Sequence, residues 1–315
     1  MPRNAKRRRQ GAASCSRLGG PPSERPLRRS RLATLAEIRR RIASLKNTQQ
    51  ITRAMQAVAA SKLRRVQVRA EAARPYADRM AEVLTEVASR TTGSPHPFLT
   101  ERPIKKRLLI LVTADRGLAG GLNVNAIRVA LTYIRQGEET VLDTIGRKGR
   151  DYFRRLGVPI IAEVSGTGDR PELKDILPAV TVARDEYLKG TVDQVALVHT
   201  HFASISRLVP TASILIPVQV PERKEGIRVD YLYEPEPEEV LARLLPRYVE
   251  AQVYAAVLDN LASFYAAQTI AMRNATDNAG ELIDDLTMLR NKVRQATITK
   301  ELSEIVGGAE ALAAG

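Results

Sequence analysis

The pattern of apolar residues predicts a long helix in the N-terminal third of the chain. Counting in sevens from Leu35 and from Ile38 gives two interleaved sets of mainly apolar positions. Thr34 and Glu37 stand three residues apart directly ahead of this run, which is the spacing of a capping box at a helix N-terminus. A strict seven-residue repeat describes a helix that coils around a partner rather than one lying on a globule. We therefore predict a coiled-coil helix over residues 34–90.

The same repeat occupies the C-terminal end of the chain. Counting in sevens from Leu258 and from Leu261 gives twelve positions as far as Ala296, of which eleven are apolar or Tyr. A helix from Arg247 to about residue 306 would be roughly 90 Å long at 1.5 Å per residue. Two segments with one period at opposite ends of a chain are natural partners. We predict that they pair antiparallel, with the second helix within residues 240–315.

Shorter apolar runs fill the interval between the two helices. Segments rich in Val, Ile and Leu alternate with helical patterns, and clusters of Pro, Gly and charge mark linkers at 91–103 and 220–239. The predicted strands are 107–113, 140–145, 159–164, 194–202 and 212–218, and the predicted helices are 147–156 and 173–189. Such alternation is typical of a small α/β domain. The fold class is therefore α+β, a long antiparallel coiled coil with a lateral Rossmann-like α/β domain at 91–239.

The formal net charge of +14 points to nucleic acid as a partner until its distribution is considered. Residues 1–31 hold ten Lys or Arg against one Glu, so nine positive charges lie in that segment and five in the rest. Pro, Gly and charge leave residues 1–33 little to bury, which predicts a basic disordered extension. An Arg-rich, acid-poor segment is also typical of an organellar transit peptide, and that alternative stays open.

Cysteine usage and hydropathy restrict the setting of the chain. Cys15 is the only cysteine, which excludes an intrachain disulfide and a cysteine-ligated zinc site and fits a reducing compartment. No stretch approaches the ~18 consecutive apolar residues that span a bilayer. We therefore expect no direct membrane span, so that any association with a membrane would go through a partner.

Three groups of residues resemble catalytic or binding motifs, and each is incomplete. The stretch 113–123, TADRGLAGGLN, follows a strand and precedes a helical pattern, but its glycines match neither phosphate-binding spacing, and a tight turn is favoured. His199 and His201 share one face of a strand, yet the sequence suggests no third metal ligand. Asp284 and Asp285 point about 100° apart on a helix, a poor geometry for paired-carboxylate catalysis. We predict no catalytic residue, no cofactor and no metal.

The first helix carries an irregularity in its middle. The seam between the helices becomes polar around Thr52, while Ile51, Met55 and Val58 form a second apolar stripe displaced from it. In one interpretation the stripe is a local stutter that repacks the helix pair. In the other, the stripe is a surface presented to a third body.

Three segments, 37–67, 113–123 and 272–312, closely resemble the gamma subunit of the F-type ATP synthase, and the similarity extends over residues 34–312. The resemblance implies a central rotor shaft, not itself catalytic and without a cofactor. Such a shaft couples ion-driven rotation of the membrane c-ring to ATP synthesis or hydrolysis in a ring of alternating alpha and beta subunits. The implied partners are the alpha, beta, epsilon and delta subunits and the c-ring, without nucleic acid. The implied location is peripheral, on the cytoplasmic face of a bacterial plasma membrane or on the matrix side of an organellar inner membrane.

The resemblance also implies which residues contact these partners. It places Ile51, Met55 and Val58 beside acidic lever loops of the beta subunits. Arg294 and Gln295 fall at the position of an Arg-Gln pair that engages a catch loop of a beta subunit. Met55 is therefore expected to face away from the seam, toward these loops.

One further contact is implied in the lateral domain. Arg116 occupies the position of a DRG arginine that meets an acidic loop of a beta subunit. The chain departs from the family pattern at Ala119, where many relatives have Cys, and at Gln268, where some have Arg. The inserted cysteine pair of chloroplast members is also absent, so thiol regulation of rotation is not expected, and an ionic contact at Gln268 is not implied.

Two other classes of function stay open as alternatives. A coiled-coil protein that binds nucleic acid is favoured by the basic segment and would bind DNA or RNA with a steep salt dependence. A nucleotide-dependent α/β enzyme is disfavoured by the glycine spacing in 113–123, and it would retain ATPase activity as an isolated chain.

Overall fold

Two long helices dominate the computed structural model of the chain, which describes residues 34–90, 96–220 and 236–313. Helix α1 (Leu35–Arg90) and helix α5 (Pro237–Ala313) lie side by side and form the most extensive contact between elements. The predicted extension at 1–33 lies outside the described residues.

Contacts at the two ends of the pair show its direction. Leu84, near the end of α1, shares a core with Leu241, near the start of α5. Thr52, earlier in α1, meets Thr276, later in α5. The two helices are therefore antiparallel, as the seven-residue repeats predict. The capping box is also confirmed, since the Thr34 amide donates to the Glu37 carboxylate at 3.0 Å.

Burial confirms the α1 seam and corrects half of the α5 seam. The buried apolar residues of α1 all belong to the two predicted sets: Ile38, Ile42, Ala59, Leu63, Val66, Met80, Leu84 and Val87. On α5 the set counted from Leu258 is buried as far as Ala279, but in the other set Leu282 is 50% exposed. The second set instead lies one residue later, at Ala262 and Thr276. Leu261 and Ala262 are both apolar, so hydropathy alone did not separate the two registers there.

Helix α5 also begins earlier than predicted. It starts at Pro237 rather than near Arg247 and continues through Pro246. Leu241 and Leu245 are buried in the core that joins the rod to the lateral domain. Their packing keeps the turn before Pro246 helical, although an internal Pro disfavours a helix on local grounds.

The lateral domain is a five-stranded sheet covered on both faces. Its strands are β1 (Lys106–Val112), β2 (Glu139–Ile145), β3 (Ile160–Val164), β4 (Gln194–Phe202) and β5 (Leu208–Ile216), and its helices are α2 (Leu122–Ile134), α3 (Arg147–Leu156) and α4 (Leu173–Leu188). The spatial order is β3-β2-β1-β4-β5, with β5 antiparallel. The connections leave β1 in both directions, as in doubly wound α/β domains.

One strand is displaced from its prediction. Strand β5 occupies 208–216 instead of 212–218 because it pairs with β4 from Phe202 opposite Leu208 to Val195 opposite Ile216. The short connection after β4 sets this pairing, and pairing overrides the hydropathy of single residues at a strand end.

Alternation along the strands divides the domain core into two layers. Leu108 and Ile110 of β1 face α4 and the first part of α5, whereas Leu109 and Leu111 face α2 and α3. The first layer also contains Leu84 of α1, so the domain and the rod share one core. Among the described residues, none of the helices is both long enough and apolar enough to cross a bilayer.

Candidate functional site

A polar layer interrupts the apolar seam of the rod. The Oγ1 atoms of Thr52 and Thr276 lie 2.7 Å apart, and the Gln49 side-chain amide donates to the Thr276 carbonyl at 3.4 Å. The Thr276 Oγ1 also lies 2.8 Å from the Met272 carbonyl oxygen. Because these buried groups have partners, the layer avoids the cost of unpaired polar atoms. It also favours one axial alignment of the helices, since sliding them would leave the groups unpaired.

The displaced stripe of α1 lies on the outer surface of the rod. Ile51 is 59% exposed and Val58 is 54% exposed, while Met55 between them is half-buried. Exposed apolar side chains spaced four and three residues apart form one continuous patch on a helix. Ile51 and Val58 do not pack into the seam, which favours a surface presented to a third body over a repacked pair.

Helix α5 extends beyond the start of α1. Because Thr52 lies opposite Thr276 in an antiparallel pair, Leu35 falls opposite about residue 293. We call residues 294–313 the overhang. Every residue from Arg294 to Leu312 is exposed, because no other part of the described chain covers it. At 1.5 Å per residue these roughly 20 residues extend about 30 Å.

The surface of the overhang combines polar and apolar groups. Arg294 and Gln295 stand exposed at its base, directly after the last half-buried seam position. Further along, Ile298, Leu302 and Ile305 are exposed and lie on one face at helical spacing. The overhang therefore resembles an amphipathic helix whose apolar face has no cover within the described chain.

Arg116 lies where the lateral domain meets the rod. Asp169, in the loop after β3, accepts hydrogen bonds from Lys62 of α1 at 2.5 Å and from the Tyr265 hydroxyl of α5. The Arg116 guanidinium is 3.4 Å from the same carboxylate, and its side chain is still 57% exposed. Desolvation raises the pKa of Asp169, but hydrogen bonds from Lys62 and Tyr265 outweigh it, so the net pKa is lowered. Asp169 thus ties the domain to both helices.

The glycine-rich stretch 113–123 is a packed turn. Its Asp115 accepts a hydrogen bond from the backbone amide of Arg147 at the start of α3, at 3.0 Å. A Cβ on Gly146 would lie 2.0 Å from the Thr113 carbonyl oxygen, so the chain passes this turn only with glycine there. Through these contacts the stretch holds β1, β2 and α3 together, as expected for a strand-to-helix turn.

The two histidines of β4 meet a carboxylate that the sequence pattern did not indicate. His201 Nδ1 lies 2.5 Å from Asp259 Oδ2, and His199 Nε2 lies 4.0 Å from the same oxygen. Burial lowers the pKa of His199. Asp259 comes from α5, 58 positions away from His201. Only the packing of β4 on α5 brings it into the group, so spacing along the chain carried no signal for it.

These surfaces define a class of protein, a coiled-coil shaft with a lateral α/β domain that presents contact surfaces along its outer side. Residues 34–312 match the family model described as ATP synthase. The chain is 44% identical over 290 residues to the ATP synthase gamma chain of Glaesserella parasuis, covering 89% of this chain and 100% of that relative. The chain therefore belongs to the ATP synthase gamma chain family, whose members are non-catalytic subunits of the central stalk.

Solved structures share the fold at low sequence identity. A chain from the mitochondrial ATP synthase of Euglena gracilis, solved with OSCP, F1 and the c-ring, gives a TM-score of 0.65 at 19% identity, covering 89% of this chain and 95% of that one. A chain from the central stalk and c-ring of the Tetrahymena thermophila enzyme gives 0.53 at 24% identity, covering 71% and 99%. The antiparallel rod with its lateral domain is therefore a known arrangement.

Proposed function

We propose that this chain is the rotating shaft that transmits torque between an ion-driven c-ring and a ring of alternating alpha and beta subunits. The overhang carries the proposal, because about 20 residues of α5 expose an apolar face at the end of a stiff two-helix rod. A surrounding collar of other subunits would cover that face, and exposed apolar patches are typical of interaction sites. Membership of the gamma chain family supports the same role.

Rotation of the rod can change nucleotide binding in the surrounding ring because the rod is asymmetric. Two paired helices of unequal length present a different surface in each direction, so each beta subunit of a surrounding ring meets a different face. A face that contacts the open and closed states of a beta subunit unequally shifts the affinity of that subunit for nucleotide. The shaft itself needs no nucleotide site for this role.

The proposed contacts with the beta subunits follow from exposure and charge. Ile51, Met55 and Val58 supply an outward apolar stripe midway along the rod. Arg294 and Gln295 supply exchangeable hydrogen bonds at the base of the overhang, where an Arg and a partner carboxylate form a charge-assisted pair. Such contacts form and break with rotation, whereas a deep apolar anchor would hold the shaft in one position.

Arg116 is proposed as a contact that the chain itself prepares. Its guanidinium has five N–H donors and shares one carboxylate with Lys62 and Tyr265. With more than half of the side chain exposed, Arg116 has donors left for an acidic loop of a beta subunit. Asp169 would then position Arg116 for its partner.

The other end of the rod is proposed to sit on the membrane sector. The lateral domain and the start of α5 would contact the epsilon subunit and the c-ring, with the delta subunit in the same complex and protons as the coupling ion. The chain would then be a peripheral component on the cytoplasmic face of the membrane. The described helices offer no span of their own, so attachment through the c-ring is the route that the proposal requires.

Direct observation of rotation tests the proposal. In a Cys15→Ser background, the exposed Ser204 of the lateral domain is changed to Cys and a bead is attached to it. The alpha and beta ring is held on a surface, and ATP is added. We expect stepwise rotation of the bead. A bead that stays still while ATP is hydrolysed would contradict the role of a shaft.

The proposed contact residues are tested in membrane vesicles that carry the whole complex. Arg294→Ala should lower proton pumping per ATP hydrolysed, because one rotation-dependent contact is lost. Arg273→Ala is the matched control, since Arg273 is another exposed Arg on α5, roughly 30 Å before the overhang, and it is not among the proposed contact residues. Equal pumping-to-hydrolysis ratios in the two variants, with normal assembly, would show that Arg294 does not contact the collar.

A further inference from the structure

A group of metal-ligating side chains lies where strand β4 docks on helix α5, away from the proposed contacts with the beta subunits. His199 and His201 are two residues apart on β4, so their side chains project to the same side of the sheet. Asp259 projects from α5 toward them. Nearby, the Ser263 hydroxyl donates to the Thr200 carbonyl at 3.1 Å, which holds the helix against the strand. The group therefore sits on two elements that are already fixed relative to each other.

The spacing of the three side chains suits a single ion. One ligand atom from each of His199, His201 and Asp259 lies within 4.8 Å of the other two. Four-coordinate Zn²⁺ holds its ligands at about 2.0–2.2 Å, which places them roughly 3.4 Å from one another. The observed separations from Asp259 Oδ2 are 2.5 Å to His201 and 4.0 Å to His199. A movement of the Asp259 carboxylate by less than about 1 Å would make both separations suitable for Zn²⁺.

The chemistry of the donors selects the class of ion. Two imidazoles and one carboxylate form a mixed nitrogen and oxygen set, which suits Zn²⁺ and other late first-row metals rather than Mg²⁺ or Ca²⁺. The Asp259 carboxylate contributes a negative charge, so the set attracts a cation. Three protein ligands with a position left for water are the arrangement of an open zinc site.

Access is limited to one side of the group. The Nδ1 atom of His199 is buried and makes no hydrogen bond within the described chain, so Nε2 is the ring nitrogen that a ligand can reach. That atom faces Asp259. The His201 side chain is 49% exposed and the Asp259 side chain is 27% exposed, which leaves a path from solvent. An ion that enters would replace the hydrogen bond between His201 and Asp259.

We propose that His199, His201 and Asp259 form a binding site for a divalent transition-metal ion, with Zn²⁺ as its ligand. The ion connects the lateral domain to the shaft, because two ligands come from β4 and one from α5. This proposal does not depend on the rotary role of the chain. Binding adds a bond between two elements that are far apart in sequence, so the ion stabilises the docked state against opening.

The test uses the full chain without an affinity tag, in a Cys15→Ser background that removes the only thiol. After dialysis against a chelator, the chain is titrated with ZnCl₂ by calorimetry and with CoCl₂ by visible absorption. We expect one ion per chain, visible bands of tetrahedral Co²⁺, and a higher Tm with Zn²⁺ but not with Mg²⁺. His201→Ala and Asp259→Asn should each weaken Zn²⁺ binding by more than about ten-fold.

The third histidine supplies the matched control. His96 lies at the short turn Pro97–Leu99, where its Nδ1 accepts from the Phe98 amide, and His96→Ala should leave Zn²⁺ binding unchanged. If one of the two site variants fails to fold, the other decides the result. Absence of stoichiometric Zn²⁺ binding in the parent, or equal binding in the parent and a folded site variant, would overturn the proposal.

Discussion

Asp143 carries a carboxyl group in the middle of an apolar face of the sheet. It is fully buried on β2 between Val141 and Ile145, opposite Ile110 of β1. Its two carboxylate oxygens accept no hydrogen bond from any residue that the structure describes. Burial raises the pKa of Asp143 from 3.8 to about 7. We predict that Asp143→Asn increases the free energy of unfolding at pH 7 and above.

The size of the effect follows from the pKa. The rise from 3.8 to about 7 is roughly three units, and each unit is worth about 1.36 kcal/mol, so the ionised carboxylate costs the folded state about 4 kcal/mol. Between these two pH values the folded chain retains a proton that the unfolded chain has released. Stability therefore falls as the pH rises through this window, by about 1.4 kcal/mol per pH unit, and levels off above it. The cost is large beside the ~5–15 kcal/mol that stabilises most domains.

Urea unfolding of the full chain, followed by circular dichroism, measures this dependence. The parent and Asp143→Asn are compared at several values from about pH 3 to about pH 8.5, which brackets the window. Asn keeps the shape of Asp and leaves a similar unpaired polar group, so the two proteins should be about equally stable at the acidic end. As the pH rises, the free energy of unfolding of the variant should exceed that of the parent by an increasing amount, up to about 4 kcal/mol.

Asp193→Asn is the control with the opposite sign. Asp193 accepts backbone hydrogen bonds from Lys106 and Lys105, which lower the pKa of Asp193. The ionised Asp193 stabilises the folded chain above its unfolded pKa, and this stabilisation is lost as the pH falls. Asp193→Asn should therefore have a lower free energy of unfolding than the parent at neutral pH. If the difference between Asp143→Asn and the parent did not change with pH, burial would not be governing the ionisation of Asp143.

Two further experiments distinguish residues that pack within the chain from residues that contact a partner. Gly146→Ala places a Cβ 2.0 Å from the Thr113 carbonyl oxygen at a φ of 106°, so it should lower the free energy of unfolding measured in urea by several kcal/mol. Gly157→Ala has open space and should lower it by only about 1–2 kcal/mol, from backbone strain. Equal losses of stability in the two variants would contradict the steric argument. Changing Ile51 and Val58 together to Ser should alter the Tm of the isolated chain little, because both are exposed, while weakening assembly measured by pull-down of alpha and beta subunits; a large fall in Tm would place the stripe in the seam instead.

The rod was predictable because the apolar positions that pair its helices recur every seven residues along the sequence. A seven-residue period has one structural meaning, and the capping box of Thr34 and Glu37 marks where the helix begins. The prediction was wrong for part of α5, because Leu261 and Ala262 are both apolar and only contacts in the folded chain decide which one is fully buried. The smaller Ala at the buried position allows the two backbones to approach closely.

The contacts that fix the domain on the rod were not predictable. Asp169 joins Lys62 and Tyr265 across separations of 107 and 96 residues. Likewise, Asp259 reaches the histidines of β4 only in the folded chain. Each of these carboxylates stands in an ordinary polar segment, and its role arises from packing between elements that are distant in sequence. Hydropathy patterns describe the elements and do not describe which polar side chains meet between them.

Helix α5 loses its partners in steps along its length. Leu245 is buried in the core shared by the domain and the rod, and Met272 is buried in the two-helix section. Val293 is half-buried, and the overhang after it is exposed. Packing supplies most helical stability in proteins, and the roughly 20 residues of the overhang have no packing partner within the described chain. The i,i+4 ion pair of Lys300 and Glu304 adds only a few tenths of a kcal/mol.

We therefore predict that the overhang frays in the isolated chain and is ordered by a surrounding collar. Its amide hydrogens should exchange rapidly in the free chain and slowly in the assembled complex, whereas amides around Met272 should be protected in both states. Hydrogen exchange followed by mass spectrometry measures the two regions in one experiment, so the seam serves as the internal control. Slow exchange of the overhang in the free chain would contradict the prediction, because the helix would then be stable without any contact. Protection gained only on assembly would mark the residues that the collar covers, and it would mean that the working tip of the shaft is completed by its partners.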